Sequence, residues 1–246
     1  MVCSLVICFL LSGSFGSTPS TASTQAIQAK LQSRVSTYSL RSEDFAHALI
    51  TFADHFELPM GIEWVRSPET LRNVNLSWRD LTVSQMLQAI VNSQPGYKVE
   101  TSGGIIHVFP EATHSSRQNF LNLKISSFKL RNQVVEVASH RLRDLVRPQV
   151  SPAEPKSQAS RGFAYSQATN LDDPRFSVSL EDANVRQVLD KLITASDRKI
   201  WIVTFLPEGR STSVAYLRTT TLWTNAMVPD SEQPVWDLLR WSDPIP

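Results

Sequence analysis

Five histidines, two cysteines and three adjacent carboxylate pairs are the residues of this chain best suited to chemistry. A zinc centre needs three or four N, S or O ligands that converge on one ion. His47 and His55 fall on one predicted helix, near Asp44 and Asp54, but two turns apart, too far to share an ion without an intervening ligand. Thr51 shares the His47 face and is a poor zinc ligand. Both histidines read as solvated helix residues. His107 falls in a strand, His114 in a loop and His140 on a helix, none in a metal-ligand spacing. Cys3 and Cys8 both lie in the apolar N-terminal run, so the chain after it holds no disulfide, thiolate ligand or cysteine nucleophile.

Other catalytic patterns are equally thin. A Ser/His/Asp triad is defined by geometry and composition leaves it open, but no Gly-x-Ser-x-Gly elbow is present. Among 8 glycines the only adjacent pair is Gly103-Gly104, which suits a hairpin better than a phosphate loop. Glu43-Asp44, Asp172-Asp173 and Glu181-Asp182 suit helix starts or loops better than an acid/base couple. We therefore expect a protein with no catalytic residues, cofactor or metal. The candidates that remain are for partner binding. Arg143 and Arg147 align with His140 on one helix face, next to Arg141, as a solvated face or a patch for an acidic partner. Trp236 and Trp241 serve either the core or a docking tail.

The elements that carry these residues follow from periodicity. Residues 1–20 combine the apolar run Val2–Leu11 with the small residues of Ser12–Ser20, which reads as a signal peptide with cleavage after Gly16, though no Lys or Arg precedes the run. The run is far shorter than the roughly 20 residues needed to span a bilayer, so no transmembrane segment is expected once the signal is removed. With 24 basic against 23 acidic residues the net charge is only +1, unlike a general nucleic-acid binder.

Past a Ser/Thr/Gln-rich stretch, Phe45, Leu49, Phe52 and Phe56 form one helical stripe, capped at Ser42 and stopped at Pro59, and Met60–Val65 follows as a strand. Val74, Leu76 and Trp78 alternate as a strand. Thr82 and Gln85 make a capping box for the helix of Val83–Val91, and Tyr97–Thr101 with Ile105–Phe109 flank a Ser-Gly-Gly turn. Leu121, Leu123 and Ile125 read as a strand, and Asn132 as the cap of a helix that ends before Pro148. Residues 148–174, rich in Pro, Ser, Ala and Gln, read as a loop or insertion. Ser177–Ile193 then repeats Asn75–Val91: Asp182 matches Asp80, Gln187 matches Gln85, and Asn184 stands in the capping place of Thr82. Ile200–Phe205 is an apolar strand central to a sheet, and Val235–Trp241 a short amphipathic turn.

This pattern resembles the secretin and TonB short N-terminal domain family, carried by Tyr38–Leu40, the Phe45–Phe56 helix, Ile62–Trp64, Val74–Trp78, Val83–Val91 and Ile105–Phe109. The resemblance covers 36–109 well, and 120–225 is a second, interrupted copy, leaving 226–246 as a C-terminal tail. It implies an α+β fold of repeated strand–helix–strand units, packed as small mixed sheets with helices on one face. It also implies a periplasmic or outer-membrane-associated module that docks a protein partner in the cell envelope. Family members usually precede a large channel or receptor, and nothing after Phe205 is long enough for such a barrel. The alternative reading is a secreted small-ligand-binding or hydrolase-like protein with a pocket between the two halves.

Overall fold

The computed structural model describes residues 21–116, 119–150, 174–196, 199–205, 212–218 and 239–242. The first half opens with helix α1 (Thr21–Gln32), strand β1 (Arg34–Ser42), helix α2 (Phe45–His55) and strand β2 (Met60–Val65). The apolar stripe of α2 buries Phe45, Leu49 and Phe52 with its alanines. Its cap is Asp44, two residues beyond the expected Ser42: extended at φ −154°, it accepts a hydrogen bond from the His47 N–H at 2.8 Å. Strand β3 (Val74–Thr82), helix α3 (Val83–Asn92) and the hairpin β4 (Tyr97–Ser102)–β5 (Ile105–Pro110) complete this half. Gly103 and Gly104 make the hairpin turn at φ +60° and +81°, the left-handed region that a tight two-residue loop requires.

The second half runs through a short helix α4 (Glu111–His114), a 3₁₀ turn (Phe120–Asn122), strand β6 (Lys124–Gln133), helix α5 (Val135–Val150), strand β7 (Phe176–Asn184), helix α6 (Val185–Ala195), and strands β8 (Ile200–Phe205), β9 (Thr212–Arg218) and β10 (Leu239–Ser242). Four local expectations are corrected here. The strand begins at Lys124, because Phe120 and Leu121 are consecutive buried residues that only a helical turn turns inward together. Asn132 caps nothing: it takes φ +52° beside a register shift in β6, and α5 starts at Val135. That helix continues past Pro148 to Val150, since a proline near a C-terminus forfeits one hydrogen bond while buried Val146 keeps the preceding turn packed. In the tail, Leu239–Ser242 is a strand paired to β9 and not a helical turn.

The fold is α+β, as expected. β1 pairs with β3 and β6 with β7 as antiparallel two-stranded ribbons, and the other six strands form one mixed sheet in the order β10-β9-β8-β2-β5-β4. β2 lies between β5 and β8, parallel to both. The two halves thus share a sheet whose middle strand comes from one half and whose neighbour comes from the other. Alternation along these strands divides the core. Met60, Ile62, Ile106, Val108, Ile200 and Ile202 face α1, α2 and α3, while Ile105, Trp201 and Val203 face α5 and α6. Helices therefore cover both faces of the central sheet rather than one.

The sequence correspondence between the halves has a geometric counterpart. Thr82 with Gln85, and Asn184 with Gln187, both close reciprocal capping boxes. Asp80 and Asp182 both take positive φ, at 53° and 48°. The first helical N–H donates across each ribbon at 3.1 Å, Val83 to the Ser33 carbonyl and Val185 to the Leu123 carbonyl.

One close side-chain contact lies within the β2–β8 ladder that joins the halves. A Cβ built on Gly61 of β2 lies 2.3 Å from Trp201 Cζ2 of β8, so the fully buried indole covers a place that only glycine leaves open. Gly61→Ala forces Trp201 aside, and a loss of about 1–3 kcal/mol is expected, the scale of overpacked cores. Thr82→Ala and Asn184→Ala are each expected to lose about 1 kcal/mol through the cap. Urea unfolding of the three variants measures both effects.

Candidate functional site

Glu63 is the single carboxylate in the middle of the central sheet, on the β2 face that looks toward α6, and it is 1% exposed. A charge buried there must be paired and fully hydrogen-bonded. Arg186, in the first turn of α6, supplies the counter-charge, with its Nη2 2.7 Å and its Nε 2.9 Å from Glu63 Oε1. His114 Nδ1 lies 2.9 Å from the same oxygen, and Asn119 Nδ2 donates to Oε2 at 3.0 Å. The remaining Arg186 nitrogen, Nη1, donates to Asn122 Oδ1 at 2.9 Å. Burial pushes the Glu63 carboxyl up, yet the His114 hydrogen bond and the Arg186 charge outweigh it and hold the group below the ordinary carboxylate range.

One helical turn further along α6, Asp190 Oδ1 accepts from the Trp201 indole N–H at 2.8 Å, and Oδ2 lies 3.5 Å from His107 Nε2 on β5. His107 is buried, and its Nδ1 has no hydrogen-bond partner. Burial, reinforced by the Arg186 charge, pushes the His107 imidazole down to about 4. Burial pushes the Asp190 carboxyl up to about 7, partly opposed by the Trp201 hydrogen bond. His114 closes the edge of the group by stacking on Phe109 at 3.6 Å between ring centroids.

The cluster gathers Glu63, His107, His114, Arg186 and Asp190 from four elements and both halves. Two of these, His107 and His114, stand in the sequence as single histidines, and no sequence motif marks the other three. The available signal was Glu63 itself, a lone acid in the apolar strand Met60–Val65.

The sequence candidates fare differently. Arg143 and Arg147 belong to α5, and Trp241 to β10 opposite Ser213, but their side chains, like Trp236 as a whole, lie outside the described residues. Asp172 and Asp173 also lie outside them. His55 is exposed and packs on Tyr38 and Phe56, with ring centroids 4.7 and 4.6 Å away. His47 is held between Asp44 Oδ2 at 2.8 Å and Glu43 Oε1 at 3.3 Å, so ligand atoms of these three residues cluster within 4.8 Å. Asp44 Oδ1 is already committed to the helix cap. Nearby, a shallow groove of about 440 Å³ is lined by Arg41, Ser42, Glu43, Asn73, Val74 and Asn75.

No protein-family model, curated protein or solved structure matches this chain. No helix among the described residues is long and apolar enough to cross a membrane.

What the junction cluster does chemically is bind the halves through charge. Removing one partner of a buried pair leaves the other uncompensated, at about 3–5 kcal/mol. Glu63→Gln and Arg186→Met are each expected to destabilise on that scale, and the double variant to recover about 1–3 kcal/mol of their sum as coupling. Because the Glu63 carboxyl binds its proton less readily folded than unfolded, its stabilisation is present above the ordinary carboxylate range. It is lost as pH falls through the lowered folded value. Urea unfolding of the Glu63→Gln protein from pH 7 to pH 3 is expected to show a shallower acid limb than the parent.

Proposed function

We propose that this protein is an exported, non-enzymatic protein-interaction module of the secretin and TonB short N-terminal domain type, acting in the assembly of the cell envelope. The observation that carries this reading is the distribution of strand edges. Among the described residues β4 pairs only with β5 at one border of the central sheet, and each ribbon, β1–β3 and β6–β7, has one pairing partner per strand. Unpaired edges of this kind accept an added strand, with main-chain hydrogen bonds giving affinity and alternate side chains giving selectivity. Among the described residues, β4 and β1 carry mostly exposed side chains, which suits an incoming strand.

The competing reading places a ligand pocket between the halves. That place is occupied by the Glu63–Arg186 network, whose carboxylate oxygens and guanidinium nitrogens are already bonded to neighbouring side chains. The distribution of polar groups favours partner docking on the outside of the molecule over turnover at its centre.

A photo-crosslinking residue at Glu100 of β4 and at Ser39 of β1, with Gln88 of α3 as the helical control, tests the reading in intact cells. A discrete protein adduct is expected from a strand position and none from Gln88. Equal labelling at all three, or at none, overturns it. Export is checked by the intact mass of the mature protein, expected to begin at Ser17.

A further inference from the structure

We propose that strand β4 is the seat of a symmetric dimer, in which a second copy of this chain lays its own β4 antiparallel to the first and continues the central sheet across a two-fold axis. The inference rests on the strand-addition reading of the edges and names the occupant of one of them.

The backbone of β4 is arranged for this pairing. The Glu111 N–H donates to the Gly96 carbonyl at 2.8 Å. Alternation along the antiparallel β4–β5 ladder then directs the main-chain groups of Lys98, Glu100 and Ser102 toward β5, and those of Tyr97, Val99 and Thr101 outward. The Tyr97 N–H is taken by the Gln94 carbonyl at 3.3 Å. That leaves the Tyr97 carbonyl and both main-chain groups of Val99 and Thr101, and among the described residues no strand lies beyond them. With Val99 on the axis, the two Val99 residues exchange N–H to carbonyl bonds. On either side of them, the Thr101 N–H of one copy meets the Tyr97 carbonyl of the other.

Charge selects that register. Pairings that set outward groups against outward groups close the ladder, which allows Lys98, Val99 or Glu100 to lie on the axis. With Lys98 there, two ammonium groups stand opposite each other, and with Glu100 there, two carboxylates do; both are unfavourable. With Val99 there, each Lys98 faces Glu100 of the other copy, in the closely spaced pairs where side chains approach most. Both residues are exposed, and Glu100 has no ion pair among the described residues. Lys98 pairs with Glu111, but their side chains are 51% and 61% exposed, so the ammonium has room for a second carboxylate.

The other free edges lack this self-complementarity. Strands β1, β6 and β10 carry only basic charges and β7 only acidic ones. Strand β3 holds Arg79 and Asp80 side by side, so no symmetric register of this kind sets one opposite the other. Two strands as short as β4 bury less than the roughly 1,200 Å² of a small specific interface, so the dimer is weak and depends on concentration.

Sedimentation velocity of the purified full chain between about 10 μM and about 1 mM is expected to show a reversible monomer–dimer equilibrium. Lys98→Glu and Glu100→Lys each set like charges opposite one another, and each is expected to dimerise about tenfold more weakly or worse. An equimolar mixture of the two variants restores both opposite-charge pairs and is expected to recover the association of the parent. That recovery is a gain that misfolding of either variant cannot produce. A monomer throughout the range, association that the single variants leave unchanged, or a mixture no tighter than its components overturns the proposal. A monomeric parent that still crosslinks to another protein from Ser39 in cells overturns the dimer alone and leaves the strand-addition reading standing.

Discussion

A carboxylate in the middle of a sheet must be neutralised by whatever packs over it, and that requirement organises this molecule. Glu63 sits on a strand flanked on both sides by parallel partners, so no water reaches it from an edge. The neutralising arginine comes from the opposite half of the chain, in the first turn of α6. Placing Arg186 there also brings Asp190 to the Trp201 indole of β8 one turn later, and that indole packs against Gly61. Ion pair, indole and glycine are thus one linked constraint, and the shared central sheet depends on it.

The consequence for function is a division between inside and outside. Inside, polar groups bond one another: Arg186 reaches Asn122 as well as Glu63, and Asn119 also donates to the Thr113 carbonyl. Outside, the ribbons present Ser, Thr and charged side chains along strands that, among the described residues, each have one unpaired border. Charged residues on such borders, such as Lys98, which pairs with Glu111, discourage indiscriminate strand addition.

Helices α3 and α6 share local features and differ in what they attach to. Their capping boxes, apolar faces and preceding left-handed Asp agree. They differ at the positions facing away from their own ribbons, where Ser84 and Gln88 of one stand against Arg186 and Asp190 of the other. The shared positions make a helix pack on its ribbon. The divergent ones attach α6 to the neighbouring sheet.

By itself the sequence determined whatever depends on neighbours within a few residues. The α2 stripe, both capping boxes, the Gly103-Gly104 hairpin and the central character of β8 were legible because caps, turns and periodicity act locally. Where local signals conflicted, packing chose: Phe120 and Leu121 became a helical turn, Asn132 served a bulge, and α1 formed on little more than buried Ile27 and Leu31. The junction cluster was illegible for a stronger reason. Glu63 and Arg186 are 123 positions apart, and nothing in either local sequence states that they meet. Only the tertiary structure, by laying β8 beside β2 and α6 across both, turned a lone acid in an apolar strand into half of a buried ion pair.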